Sequence, residues 1–171
     1  EECYQDYALY FVKWIKAFAE NGIHITAVTP QNEPLHGGNS ASMFMLWEEQ
    51  RDFIKTALGP SFRDNNIDTK IYVFDHNYSY DNWEGQIGYP SLIYSDSQAK
   101  QYISGAAYHN YSGDASEMTA IHDANPDMAL LFTEWTAGEW YLRVDHARIL
   151  EDVKNLIFDV VNNWGRGAIV W

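Results

Sequence analysis

HITAVTPQNEP, residues 24–34, opens as a strand-like run, His24 to Thr29, and closes on the polar residues Gln31, Asn32 and Glu33. The same plan returns in MALLFTEW, residues 128–135, where Met128 to Thr133 delivers Glu134 and Trp135. Ile71 to Phe74 ends in Asp75, His76, Asn77 and Tyr78, and Gly105 to Tyr108 ends in His109, Asn110 and Tyr111. A last run, Ala168 to Val170, ends in Trp171. These runs are continuously apolar rather than alternating, which predicts strands covered on both faces and therefore a parallel sheet.

Helical patterns fill the intervals. Tyr4, Tyr7, Phe11, Ile15 and Phe18 recur at helical spacing up to a stop at Asn21-Gly22. A second helix is predicted over 40–58, with Met43, Leu46, Trp47, Phe53, Ile54, Ala57 and Leu58 on one stripe and Gly59-Pro60 as its end. Shorter helices are predicted over 95–103 and 115–124. The longest follows Asp145 as N-cap, turns Ile149, Leu150, Val153, Leu156, Ile157, Val160 and Val161 inward, and stops at Gly165. Helix and strand thus alternate five times, as in a doubly wound α/β sheet or part of a (β/α)8 barrel. Gly37-Gly38 has neither the spacing of a dinucleotide-binding loop nor a phosphate-binding lysine. Polar and aromatic residues close every strand, which is where barrel enzymes keep their chemistry. The expected fold is a partial (β/α)8 TIM barrel.

The chain has 171 residues, 46% of them hydrophobic and 20% charged, enough for one folded core and unlike a disordered segment. A net charge of −13 argues against nucleic acid as a partner, because phosphates would be repelled. The sequence has no apolar run near the roughly 20 residues of a membrane span, and no signal segment is visible. The lone Cys3 excludes an internal disulfide and a cysteine zinc site. Seven Trp, twelve Tyr and eight Phe suit either core packing or stacking on sugar rings.

Glu33 and Glu134 carry the candidate chemistry. Two carboxylates delivered from separate strand ends to one face of a sheet are the minimum for retaining glycoside hydrolysis, one as nucleophile and one as acid and then base. That chemistry requires them about 5–5.5 Å apart. Proton donation near neutral pH needs one carboxyl with a raised pKa, and the charge of the other supplies part of the difference.

TPQNEP (Thr29 to Pro34) resembles the Asn-Glu-Pro signature of the clan A retaining glycoside hydrolases. With WEEQRDFIKTALGPSF (Trp47 to Phe62), FDHNY (Phe74 to Tyr78), YHNY (Tyr108 to Tyr111) and FTEW (Phe132 to Trp135), the chain resembles glycoside hydrolase family 30 over essentially its whole length. The β-1,6-glucanase branch looks nearest, with glucosylceramidase-like enzymes next. The resemblance implies Glu33 as acid/base on the fourth barrel strand and Glu134 as nucleophile on the seventh. Asn32 would bind the sugar 2-hydroxyl, Tyr111 would donate to the nucleophile, His109, Asp75 and His76 would line the substrate pocket, and Trp171 would floor it. It further implies a β-glucan or β-glucoside substrate, no cofactor, and a secreted, periplasmic or cell-surface setting. Barrel strands one to three, the last helix and an accessory β-sandwich have no counterpart in the chain. Two open sheet edges are therefore expected, at His24 to Thr29 and Ala168 to Trp171, completed by further polypeptide or by self-association.

Other readings stand beside these. Asp75, His76 and Asn77 also read as a hydrogen-bonded strand end. His76, His109 and Asp75 match no zinc-site spacing, so no metal is expected. Trp135 and Trp171 read as sugar platforms or as packed rim aromatics. Trp14, Trp47 and Trp164 read as helix packing, while Trp83, Tyr89 and Trp140 fall where outer subsites would lie. A carbohydrate-binding or scaffold barrel without turnover is the rival function. An α/β-hydrolase is disfavoured because no G-x-S-x-G elbow is present.

Overall fold

Five parallel strands stand in chain order in one sheet: β1 (Ala27–Val28), β2 (Lys70–Asn77), β3 (Ile103–His109), β4 (Ala129–Glu134) and β5 (Gly165–Ala168). The computed structural model describes residues 3–38, 42–78, 85–136 and 146–171. Parallel neighbours joined by helical crossovers form the partial TIM barrel that the strand pattern predicts. From Ile71 onward every residue of β2 is buried, as are all but one in β3, which accounts for the lack of alternation in their sequences.

Helix α1 (Tyr4–Glu20) buries Ala8, Phe11, Val12 and Ile15, the i, i+3, i+4, i+7 stripe of an amphipathic helix, and ends at Asn21 as the sequence predicts. The second helix departs from expectation at both ends. Its predicted start, Ser40, lies outside the described residues, and residues 42–46 are not helical. α2 (Trp47–Phe53) then runs through a π-helical turn (Ile54–Leu58) into α3 (Gly59–Asp64), so Gly59-Pro60 does not end it. The wider turn carries the chain past Pro60, which has no N–H to give, without breaking the helix. Gly59 serves close packing instead: a Cβ there would sit 2.3 Å from the Tyr102 ring.

The helix predicted over 95–103 is shorter. α4 (Tyr89–Tyr94) precedes it, and α5 spans only Ser97–Lys100, capped by Asp96, whose Oδ1 accepts from the Gln98 and Ala99 amides at 2.9 and 3.2 Å. α6 (Ser116–Ala124) lies where predicted. The last helix divides into α7 (His146–Val153), a π turn (Lys154–Phe158) and α8 (Asp159–Asn162), and its expected cap Asp145 lies outside the described residues. Gly165 opens β5 rather than stopping a helix, and it permits a close approach, since a Cβ there would meet Val160 at 2.3 Å. Of the apolar residues expected to face inward, Val160 is buried, whereas Ile149, Leu150, Ile157 and Val161 are more than half exposed. They share the β5 side of the molecule with exposed Ile169, Val170 and Trp171, at an edge that has no partner strand among the described residues.

The main core lies between sheet and helices, where Phe53, Ile54, Leu58, Val73, Ile93, Tyr108, Met118, Leu130 and Phe132 interlock. Each such side chain contributes about 1.5–3 kcal/mol by leaving water. The opposite, barrel-interior face holds a smaller cluster of Tyr72, Ala107 and Ala129, packed by Ala27 and Leu131.

Candidate active site

Strand alternation carries the interior face upward to a polar layer. Two residues beyond Ala27, Ala107 and Leu131 stand Thr29, His109 and Thr133. β2 reaches the same layer with Asp75, three residues beyond Tyr72, and needs an irregularity to do so. Phe74 pairs with Ala107 while His76 pairs with Tyr108, leaving Asp75 as an extra residue. Phe74 and Asp75 adopt φ of 75° and 58°. Val73 and Phe74 therefore both pack on the helix side, and Asp75 turns inward. The bulge takes the Phe74 amide out of the ladder, and the fully buried Gln50 of α2 accepts it at 3.0 Å.

Asp75 gathers its layer. Thr29 donates to its Oδ2 at 2.6 Å, Thr133 to its Oδ1 at 2.6 Å, and His109 Nε2 stands 3.0 Å from Oδ1. The other ring nitrogen of His109, Nδ1, is 3.2 Å from Glu33 Oε1, and Nε2 is 4.0 Å from Glu134 Oε2. Glu33 lies just beyond β1 at φ 44°, a strained value for this residue type. Its amide donates to the Asp75 carbonyl at 2.9 Å, so the bulge also anchors Glu33. Glu134, the last residue of β4, accepts from the Tyr111 hydroxyl at 3.1 Å, and the Tyr111 amide donates to Asn77 Oδ1 at 2.8 Å.

The charges follow from these contacts. Burial opposes ionisation of Asp75, but the hydrogen bond and charge of His109, with the Thr133 and Thr29 hydroxyls, hold its carboxyl below the usual range. Burial alone would also neutralise His109. Hydrogen bonds to Asp75 and Glu33, with the charges of Asp75 and Glu134, instead raise it to about 9. These contacts favour the imidazolium at neutral pH, the form in which both ring nitrogens carry a hydrogen toward a carboxylate. His76, fully buried, goes the other way: burial brings it down to about 4 against the opposing charge of Glu33, and its Nδ1 accepts from the Asn77 amide at 2.8 Å. Burial and the adjoining Glu134 push Tyr111 up to about 12, so its hydroxyl keeps its proton.

Glu33, Glu134, Tyr111, Asp75 and His109 are thus brought together. His109 and His76, expected to line the pocket, are buried to 1% and 0% exposure, and they face carboxylates and backbone instead. Asn32 is exposed beside Glu33. Trp135 is largely buried in the core and also lines a cleft of about 450 Å³ with Tyr111, Asp114, Glu151 and Lys154; Glu33 and Glu134 do not line it. Trp171 is 83% exposed, with its amide bonded to the Trp135 carbonyl at 3.2 Å. Trp14 and Trp47 pack on the core as expected. Trp164 is exposed and stacks on His122 at 4.0 Å, not between helices. Tyr89 belongs to no outer subsite: it is buried, and its hydroxyl donates to the Met45 carbonyl at 3.0 Å. Trp83 and Trp140 lie outside the described residues.

The sequence reading missed Thr29, Thr133 and Gln50. The two threonines are marked by position, each one alternation beyond an apolar interior residue. Gln50 is marked as the single polar residue on the apolar stripe between Trp47 and Phe53. Among the described residues no group of histidine, cysteine or acidic side chains is arranged to hold a metal ion, and no helix is long and apolar enough to cross a membrane.

The domain description "Glycosyl hydrolase family 30 TIM-barrel domain" matches residues 1–171. The solved structure of the endo-β1,6-glucanase BT3312 superposes with a TM-score of 0.96 at 57% identity, over 99% of this chain and 38% of that one. SrfJ from Salmonella typhimurium superposes with a TM-score of 0.83 at 26% identity, over 100% of this chain and 38% of that one. An endo-1,6-β-D-glucanase of Neurospora crassa is 32% identical over 169 residues, 96% of this chain and 32% of that protein. The chain spans about a third of the length of the curated relatives it matches. A match running from the first residue to the last, on a fold and strand order of the same kind, means that this chain belongs to glycosyl hydrolase family 30.

Proposed function

We propose that the protein carrying this chain is a retaining glycoside hydrolase that cleaves β-1,6-linked glucan, with Glu134 as nucleophile and Glu33 as acid/base. The observation that carries the reading is that one imidazole, His109, stands 3.2 Å from Glu33 and 4.0 Å from Glu134, although the two carboxylates come from different strands. Glu134 accepts a hydrogen bond from Tyr111, which aims one carboxylate oxygen, as a nucleophile needs.

In the first half-reaction Glu134 attacks the anomeric carbon while Glu33 protonates the departing oxygen. In the second, Glu33 takes a proton from the water that cleaves the glycosyl ester. Asn32, exposed beside Glu33, is the proposed partner of the sugar 2-hydroxyl, and Trp135 and Trp171 the proposed ring contacts. Similarity to two endo-1,6-β-glucanases supports the linkage. A polymer of that size does not cross a membrane unaided, so a secreted, periplasmic or cell-surface setting goes with the proposal.

The test uses the shortest polypeptide that supplies all eight barrel strands. Incubation with an activated 2-deoxy-2-fluoro-β-glucoside should leave a stable ester on Glu134, located by peptide mass spectrometry, and β-1,6-glucan should be hydrolysed with net retention. Labelling of another residue, or inverted product, would refute the assignment.

A further inference from the structure

We propose that His109, held by Asp75, is a positioning residue that shares the catalytic proton of Glu33, so that the pair rather than the carboxyl alone is the acid. The inference rests on the reading of Glu33 as acid/base and concerns where the proton that Glu33 delivers is held.

The geometry allows one proton to lie on either partner. His109 is 1% exposed, and its two nitrogens face two different carboxylates, Asp75 at 3.0 Å and Glu33 at 3.2 Å. Asp75 is itself fixed by Thr29 and Thr133, so its contact with Nε2 permits little rearrangement. The main chain at His109 is held as well, because its carbonyl accepts from the Tyr78 amide at 3.1 Å. The charged and titratable groups facing the imidazole are Asp75 and His76 from β2, Glu33 beyond β1, Glu134 from β4, and Tyr111 beyond β3, whose ring lies edge-on at 6.3 Å. His36 acts on the same network through His76. Three carboxylates around one imidazole, with a neutral second histidine beside it, favour the imidazolium up to about pH 9.

The proton that Glu33 delivers is therefore held in store by the imidazole. At rest it lies on Nδ1, facing Glu33 Oε1. As Glu134 forms its bond to the anomeric carbon and the glycosidic bond breaks, the Nδ1 proton passes to Glu33 and from Glu33 to the departing oxygen. This leaves a Glu33 carboxylate and a neutral His109, whose Nε2–H still donates to Asp75. In the second half-reaction water bonds to the anomeric carbon, the bond to Glu134 breaks, and the water proton passes through Glu33 back to Nδ1. Atoms and charge return to the starting state.

The experiment uses the eight-stranded protein with phenyl β-glucoside, whose poor leaving group needs the proton, and measures kcat/KM against pH. Asp75→Asn keeps the shape and an acceptor for Nε2 but removes the charge that holds the imidazolium; His109→Gln removes the ionisable ring. In both, the alkaline limb should move down by about one pH unit or more, with losses that are small near pH 5 and grow toward pH 9. With a dinitrophenyl leaving group the same variants should lose much less. A thermal melt checks that each variant is folded. Nitrogen-15 spectra of the wild-type protein give a readout independent of turnover: both His109 nitrogens should be protonated at neutral pH. A neutral His109 at pH 7 overturns the inference, as does an unmoved alkaline limb in folded, active Asp75→Asn. A wild type that turns over no β-glucoside sinks the hydrolase reading and this inference with it; an active wild type with unmoved variants sinks only the inference.

Discussion

Tyr111 stands beside Glu134 with its hydroxyl 3.1 Å from Oε1, although the two residues belong to the ends of different strands. Burial and the carboxylate raise the phenol to about 12, so it remains a donor over the whole working range. Tyr111→Phe should lower kcat by about 10- to 100-fold, the loss of one charge-assisted hydrogen bond of roughly 1.5–3 kcal/mol. KM should change little, since the contact is to the nucleophile. A rise in KM with unchanged kcat would assign Tyr111 to substrate binding instead.

Substitution of the two glutamates should separate their roles. Glu134→Gln should abolish turnover of every substrate while leaving the fold intact. Glu33→Gln should cost far more on glycosides with poor leaving groups than on dinitrophenyl glycosides, which leave without a proton. Equal losses on both substrate types in Glu33→Gln would contradict the acid/base assignment.

Gln50 lies outside the catalytic layer, yet its carboxamide oxygen is the acceptor for the displaced Phe74 amide. Gln50→Leu should leave that amide buried without a partner, at a cost of about 1–3 kcal/mol. Activity should fall with stability, because Asp75 adjoins the amide that is released. Calorimetry and steady-state kinetics on one preparation check both, and a variant with wild-type melting would show that the bulge closes without Gln50.

The two buried histidines give opposite pH dependences. His109, raised from 6.5 to about 9, contributes stability that is complete below its unfolded value and is lost as pH rises through about 9. His76, lowered from 6.5 to about 4, is buried neutral, and its contribution is complete above 6.5 and is lost as pH falls toward about 4. From these two groups stability should peak near pH 6.5 and decline on both sides. Chemical denaturation at intervals from pH 4 to 9 checks this; a profile rising steadily to pH 9 would place the His109 charge elsewhere.

Much of this was legible in the residues. Continuous apolar runs revealed β2, β3 and β4 because those strands are buried, and the polar residues closing them marked the functional end. At the sheet edges the runs misled, since β1 is confined to Ala27–Val28 and β5 to Gly165–Ala168, ahead of the exposed Ile169 and Val170. Glu33 and Glu134 could be singled out because each follows such a run. Features that depend on residue count within an element were hidden. Nothing in FDHNY shows that Phe74 and Asp75 form a bulge, and without it alternation would send Asp75 to the helix side. The π turn before Gly59 likewise hid a helix that runs through a proline. Tyr89 was misjudged because a tyrosine buried by packing and one exposed to a sugar look alike in sequence. The apolar stripe of the last helix was real, but its partners are not among the described residues.

The bulge makes the placement of charge at this site an arithmetic property of β2. Exchanging side chains at 73 to 76 leaves the count untouched and keeps position 75 facing Thr29, His109 and Thr133. Deleting Val73 or Phe74 would instead remove the extra residue, so that plain alternation from Tyr72 sets Asp75 inward but opposite Ala107, one step short of His109. Length variation within this strand would thus draw the carboxylate away from its imidazole, a displacement that no exchange of side chains at 73 or 74 can bring about.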